Sequence, residues 1–135
     1  MSSMLSHYGL RLSEPMVFGL ASALTFAYLP FVKLGGMPLI AYRTMPKAII
    51  KGLQKSIGIK MNLEKFSKAQ AGSLRLDALL DEGKIVGAQS SVFWLPYFPE
   101  EMRFHFNAHN LLVYGKEETN YQISDPVFEH TVEAD

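Results

Sequence analysis

His109-Asn-Leu-Leu-Val-Tyr114, Gly115-Lys-Glu-Glu-Thr119 and Asn120-Tyr-Gln-Ile-Ser124, closing on Asp125-Pro126, read as a strand, a turn and a returning strand. If Tyr114 faces Asn120, the ladder runs back through Val113–Tyr121, Leu112–Gln122, Leu111–Ile123 and Asn110–Ser124 to His109–Asp125. Directly opposed residues of an antiparallel pair point to the same face, with Cβ atoms about 4.5–5.5 Å apart. In that relation a carboxylate can orient an imidazole for general-base work. A slip of one residue puts the two on opposite faces, so the expectation stands or falls with register. The same spacing also suits a purely structural pair, because Asp-Pro starts turns and a His at a strand's opening tolerates partial burial. A triad further needs a Ser, Thr or Cys beside the His, and spacing alone selects none of this chain's serines.

Working outward, the first eight residues read as the end of a helix, with Gly9 as its left-handed stop. Ser13 caps a second helix whose first turn holds Glu14 and Pro15, and Met16, Val17, Leu20 and Leu24 recur at helical spacing toward a core. Residues 26–31 and 39–43, separated by Gly35-Gly36, read as two short strands or an extended excursion. Pro46 opens a third helix with the stripe Ile49, Ile50, Leu53 and Ile57, stopped near Gly58. Ser67 opens a fourth, with Gly72, Leu76, Leu79 and Leu80 inward and Gly83 as its stop. Residues 84–89 form a short strand, followed by the aromatic loop Val92-Phe-Trp-Leu-Pro-Tyr-Phe-Pro99 and the hairpin. Helices first and an antiparallel sheet later make an α+β fold. A length of 135 residues suggests a single domain, residues 1–135, with enough chain to bury a core.

Hydrophobic residues make up 48% of the chain, which argues against disorder. Thirteen Lys and Arg balance thirteen Asp and Glu, and the charges read as scattered without a basic stripe, so a nucleic-acid partner is not expected. Residues 15–32 carry no charge, the lower limit for a membrane span. Gly19, Ser22, Thr25 and Pro30 punctuate the run, and Arg11 followed by Glu14 makes a poor signal-peptide start. A buried helix explains the run without a membrane. The absence of cysteine excludes disulfides, thiolate zinc sites and a cysteine nucleophile within these residues.

His105 and His109 have the spacing of helical metal ligands, but an extended segment holds them about 13 Å apart. Neither a metal nor any other cofactor is expected. Phe93, Trp94, Tyr97 and Phe98, flanked by prolines, make either a rigid pocket wall or a lid on the core. Ser90 and Ser91 end the preceding strand and are hydroxyl donors or ordinary strand-end residues; Ser2 and Ser3 read as solvent-facing helix residues.

His7-Tyr-Gly-Leu-Arg-Leu-Ser-Glu-Pro-Met-Val-Phe-Gly-Leu20, then Leu95-Pro-Tyr97, His105-Phe106, Ala108-His109 and Ser124-Asp125 together resemble the N-terminal domain family of butirosin biosynthesis protein H. The resemblance implies a papain-like cysteine-enzyme fold. It implies acyl transfer from a thioester to an amine, with an acyl carrier protein or a small amine acceptor as partner and a cytoplasmic setting. By the same resemblance His109 matches the catalytic histidine and Asp125 its orienting acid, and the Leu95-Pro-Tyr97 loop resembles a segment near the cleft; from the aromatic wall, Trp94 and Tyr97 are the expected substrate-binding residues. The family's nucleophilic cysteine opens the helix that runs into the HYG motif, and counted back from Gly9 that position falls before Met1. One expectation is therefore a domain truncated at both ends and inactive in this form. The other is a stand-alone remnant that kept the fold as a non-catalytic binding module. A peptidase-like hydrolase shares the same residues, and neither the substrate nor the oligomeric state follows from the sequence.

Overall fold

The computed structural model describes residues 1–34, 36–105 and 109–135. Gly35, and Phe106 and Ala108 of the resemblance motifs, lie outside the described residues. The chain is α+β with antiparallel sheets and divides into two compact units, Met1–Glu64 and Lys65–Asp135.

In the first unit, α1 (Ser2–His7) ends before Gly9, which takes φ +84°. The Ser13 side chain accepts from Met16 N–H and caps α2 (Glu14–Leu20), with Glu14 and Pro15 in its first turn as expected. Helix α3 (Pro46–Ile57) begins on its proline and stops at Gly58, whose left-handed φ of 70° lets its N–H reach Gln54 O. Leu53, fully buried on the predicted stripe, packs with Leu5, Val17, Ala21 and Ala23. Helices α2 and α3 meet so closely that a Cβ at Gly52 would stand 2.2 Å from Ala21 O.

Several expectations for this unit fail. Met16 is 54% exposed although it lies within α2, whose buried residue is Val17, and Leu24 is 76% exposed because the helix ends at Leu20 and Leu24 already belongs to a strand. The uncharged run 15–32 is divided between α2 and β1 (Leu24–Leu34), so it is not one buried helix. Strand β1 is longer than predicted and pairs with β2 (Met37–Arg43) through Ala27–Ala41, Tyr28–Ile40 and Leu29–Leu39. Pro30 falls where the ladder is irregular, between Leu29 and Lys33, a place where a missing N–H costs little. Alternation puts Phe26, Tyr28, Ile40 and Tyr42 on an exposed face, with the Phe26 and Tyr42 rings 5.9 Å apart. Ser2 also departs from its reading, since its hydroxyl donates to Leu12 O.

In the second unit, α4 (Ala69–Asp81) starts after Lys68 rather than at Ser67, without a side-chain cap, and stops before Gly83 at φ 72°. Strands β3 (Val86–Ser90), β4 (His109–Glu117), β5 (Asn120–Ser124) and β6 (Val132–Ala134) form an antiparallel sheet in chain order. Pairings Val86–Val113, Ala88–Leu111 and Ser90–His109 put these residues on one face. There Leu111, Val113 and Ile123 are buried with Val92, Leu95 and Phe98, and Leu76 and Leu80 of α4 pack against them. Lys116 donates to both Asp77 oxygens at 2.9 Å and Tyr121 to one at 2.8 Å, tying α4 to the hairpin.

The hairpin register differs from the expected one. The turn is two residues, Glu118 and Thr119, with Glu118 in the left-handed region at φ 53°, and Gly115 lies inside β4. Glu117 pairs with Asn120, Lys116 with Tyr121 and Gly115 with Gln122; after a bulge at Tyr114, Val113 pairs with Ile123 and Leu112 with Ser124. His109 and Asp125 are thus not directly opposed. The tip differs from the expected pairing by three residues and the upper ladder by two, because the bulge takes up one. An even offset keeps the face, so the two side chains remain on the same side of the sheet.

The zero net charge also conceals a division. Residues 1–64 hold seven Lys and Arg against two Asp and Glu, and residues 65–135 hold six against eleven. The charges are not scattered.

Candidate active site

His109 opens β4, and Asp125 follows the last residue of β5. His109 Nε2 lies 2.6 Å from Asp125 Oδ2. The Asp125 side chain is fully buried, and the His109 side chain is 11% exposed. A diagonal pair across two strands has Cα atoms about 7–8 Å apart, a gap that an imidazole and a carboxylate bridge. The chain turns at Pro126, so Val127 N–H donates to Asp125 Oδ1 at 3.0 Å and Phe128 N–H to Asp125 O at 3.2 Å.

Tyr97 completes the set of donors. Its hydroxyl donates to Asp125 Oδ2 at 2.9 Å, on the oxygen that also meets His109. Burial, and then the hydrogen bond to Asp125, push the Tyr97 phenol well above its ordinary value of 10, so it stays protonated and donating. Phe98 stands edge-on to the His109 ring at 5.5 Å and to Phe128 at 5.0 Å, an apolar wall beside the pair.

An ionised carboxylate only accepts hydrogen bonds. Facing it, Nε2 is the donor and Nδ1 is left with its lone pair. The arrangement can therefore take a proton at Nδ1 and stabilise the resulting imidazolium through Asp125. His105 does not join it; its ring stacks on Phe93 at 4.0 Å.

The two aromatic residues assigned to substrate separate. Tyr97 turns to Asp125. Trp94 is 73% exposed and makes edge contacts with Phe93 at 4.9 Å and with His105 at 6.4 Å. It borders a shallow, open cleft with Phe93, Pro96, Glu100 and Arg103. Ser90 is the direct ladder partner of His109, and Ser91 Oγ is buried without a hydrogen-bond partner among the described residues. Sequence reasoning missed Arg103, whose guanidinium holds the aromatic loop by Pro96 O at 2.6 Å and Phe98 O at 2.8 Å. A single Arg among loop residues carries no signal that would have found it.

No helix among the described residues is long and apolar enough to cross a membrane. No curated protein and no solved structure matches the chain significantly. The profile of one family, described as butirosin biosynthesis protein H, N-terminal, matches residues 1–126, a span that includes Tyr97, His109 and Asp125, all of the first compact unit and most of the second. With the match running over nearly its whole length, the chain belongs to the family of the N-terminal domain of butirosin biosynthesis protein H.

Proposed function

We propose that this chain carries the general base of a thiol-dependent acyl transfer in secondary-metabolite biosynthesis, on a papain-like scaffold. His109 is the base and Asp125 its orienting acid. The observation that carries the reading is the buried Nε2–Oδ2 contact of 2.6 Å, which leaves Nδ1 as the acting nitrogen. In the proposed reaction Nδ1 takes the thiol proton and the thiolate attacks a thioester carbonyl. Collapse expels the donor thiolate, which leaves with that proton. An amine then attacks the acyl-enzyme, His109 takes the amine proton, and the enzyme thiolate departs. An acyl carrier protein as donor, a small amine as acceptor and a cytoplasmic setting fit this chemistry. If water replaces the amine, the same residues make a hydrolase.

The 135 residues contain no cysteine, so the thiol that this reading requires is not among them, and alone they are expected to transfer nothing. The same absence favours a second reading, a binding module of the same scaffold that recognises a peptide or carrier protein without chemistry. The coding sequence read in frame upstream of the Met1 codon separates the two. A cysteine codon there supports the enzyme, and His109→Ala in the cysteine-containing protein is then expected to abolish transfer from a thioester to an amine. Retained transfer in that variant would refute the assigned base. A stop codon in place of the cysteine would favour the binding module.

A further inference from the structure

One guanidinium holds the backbone on both sides of Tyr97. Arg103 donates through Nη2 to Pro96 O and through Nε to Phe98 O, the carbonyls of the residues before and after the tyrosine. Two parallel bonds from one planar group fix the orientation of what they hold, as a single ammonium does not. The loop so held delivers the Tyr97 hydroxyl to Asp125 Oδ2, while Val127 N–H holds Oδ1. Both carboxylate oxygens are thereby fixed from outside the His–Asp pair, which sets the plane of the carboxylate. That plane determines how Nε2 approaches, and hence where Nδ1 points.

We propose that Arg103 and Tyr97 are positioning residues for His109: Arg103 clamps the aromatic loop, Tyr97 orients Asp125, and Asp125 orients the imidazole. The proposal rests on the reading of His109 as the base. It moves Tyr97 away from substrate binding, since its hydroxyl is committed to Asp125. The groups that face the pair are Tyr97 from the aromatic loop, the Phe98 ring, and Val127 N–H from the turn after β5. Arg103 itself is exposed and outside the buried core, so changing it leaves the packing in place.

The test follows the His109 Nε2–H proton by NMR in the 135-residue chain, in which no acyl transfer is needed for a signal. Tyr97→Phe is expected to speed its exchange with water about tenfold, the factor that a hydrogen bond to a charged group is worth. Arg103→Lys, which keeps the charge and loses the fork, is expected to speed it about threefold. Backbone amide protection at Leu111 and Val113 should be unchanged in both. Unaltered Nε2–H exchange in Arg103→Lys would overturn the clamp, and in a folded Tyr97→Phe it would overturn the whole proposal. If Tyr97→Phe fails to fold, Arg103→Lys decides alone. In the cysteine-containing protein, Arg103→Lys should lower kcat and leave KM in place. Loosened exchange in these variants, together with no acyl transfer by the unsubstituted cysteine-containing protein, would sink the acyl-transfer reading and leave the positioning array standing.

Discussion

Replacing Asp125 by Asn keeps the volume of a fully buried side chain and changes what it accepts. The carboxylate receives Tyr97 O–H at 2.9 Å, His109 Nε2 at 2.6 Å and Val127 N–H at 3.0 Å. In the variant, the amide oxygen can keep Val127 and turn an NH₂ group toward two donors, or keep those donors and turn the NH₂ toward Val127. Either way at least one buried donor loses its acceptor, which costs about 1–3 kcal/mol, and the remaining bonds lose the charge that strengthened them. The sum is about 2–4 kcal/mol of stability. Asp125→Ala, which strands every donor, should cost about 3–5 kcal/mol. Trp94 is the only tryptophan and lies in the same unit as the pair, so urea denaturation followed by its fluorescence reads this loss. Where the NH₂ faces the imidazole, His109 moves its proton to Nδ1, the nitrogen that must accept. Activity of the cysteine-containing protein should then fall by about 10⁴, the cost of holding a catalytic histidine in the wrong tautomer. A loss of stability under about 0.5 kcal/mol in Asp125→Asn would refute the reasoning, because surface substitutions already reach that size.

Two further outcomes follow from the packing and the charges. Gly52→Ala drives a methyl group into Ala21 O, whose backbone cannot yield without parting α2 from α3; a cost of about 1–3 kcal/mol is expected in thermal unfolding followed by circular dichroism. Asp77 is held below its ordinary value of 3.8 by hydrogen bonds from Lys116 and Tyr121. A carboxylate lowered in the folded state contributes stability that is complete above its unfolded value and is lost as pH falls through its folded value. Stability should therefore fall more steeply below pH 3.8 in the natural chain than in Asp77→Asn, and parallel acid curves would remove Asp77 from the account.

Where local chemistry dictates structure, the sequence was legible. Ser13 caps α2, Pro46 opens α3, and glycines 9, 58 and 83 take the left-handed angles expected of helix stops. The His109–Asp125 contact was also legible, although by a register that does not exist. Glycine is the usual choice for a left-handed turn position, so Gly115 drew the predicted turn, whereas Glu118 takes that angle at a cost of about 1–2 kcal/mol. Pairing across the whole sheet decides that exchange, and a linear pattern does not show it. Leu24 failed because a helical stripe was extended past the residue where the chain becomes a strand, and Met16 because so short a helix buries Val17 and leaves its neighbour exposed. Arg103 and the hydroxyl of Tyr97 act through contacts made in three dimensions, and their spacing repeats no periodicity.

The hydrogen bonds that hold the histidine and its acid are drawn from residues 96–127. Closing so short a span costs little chain entropy, and contacts of low sequence separation form early in folding. The His109–Asp125 pair and the groups that orient it are therefore linked by contacts within one short stretch of chain. An array with that property depends little on the rest of the polypeptide, and with His109 as the proposed base it could serve a nucleophile delivered in cis or by a separate chain.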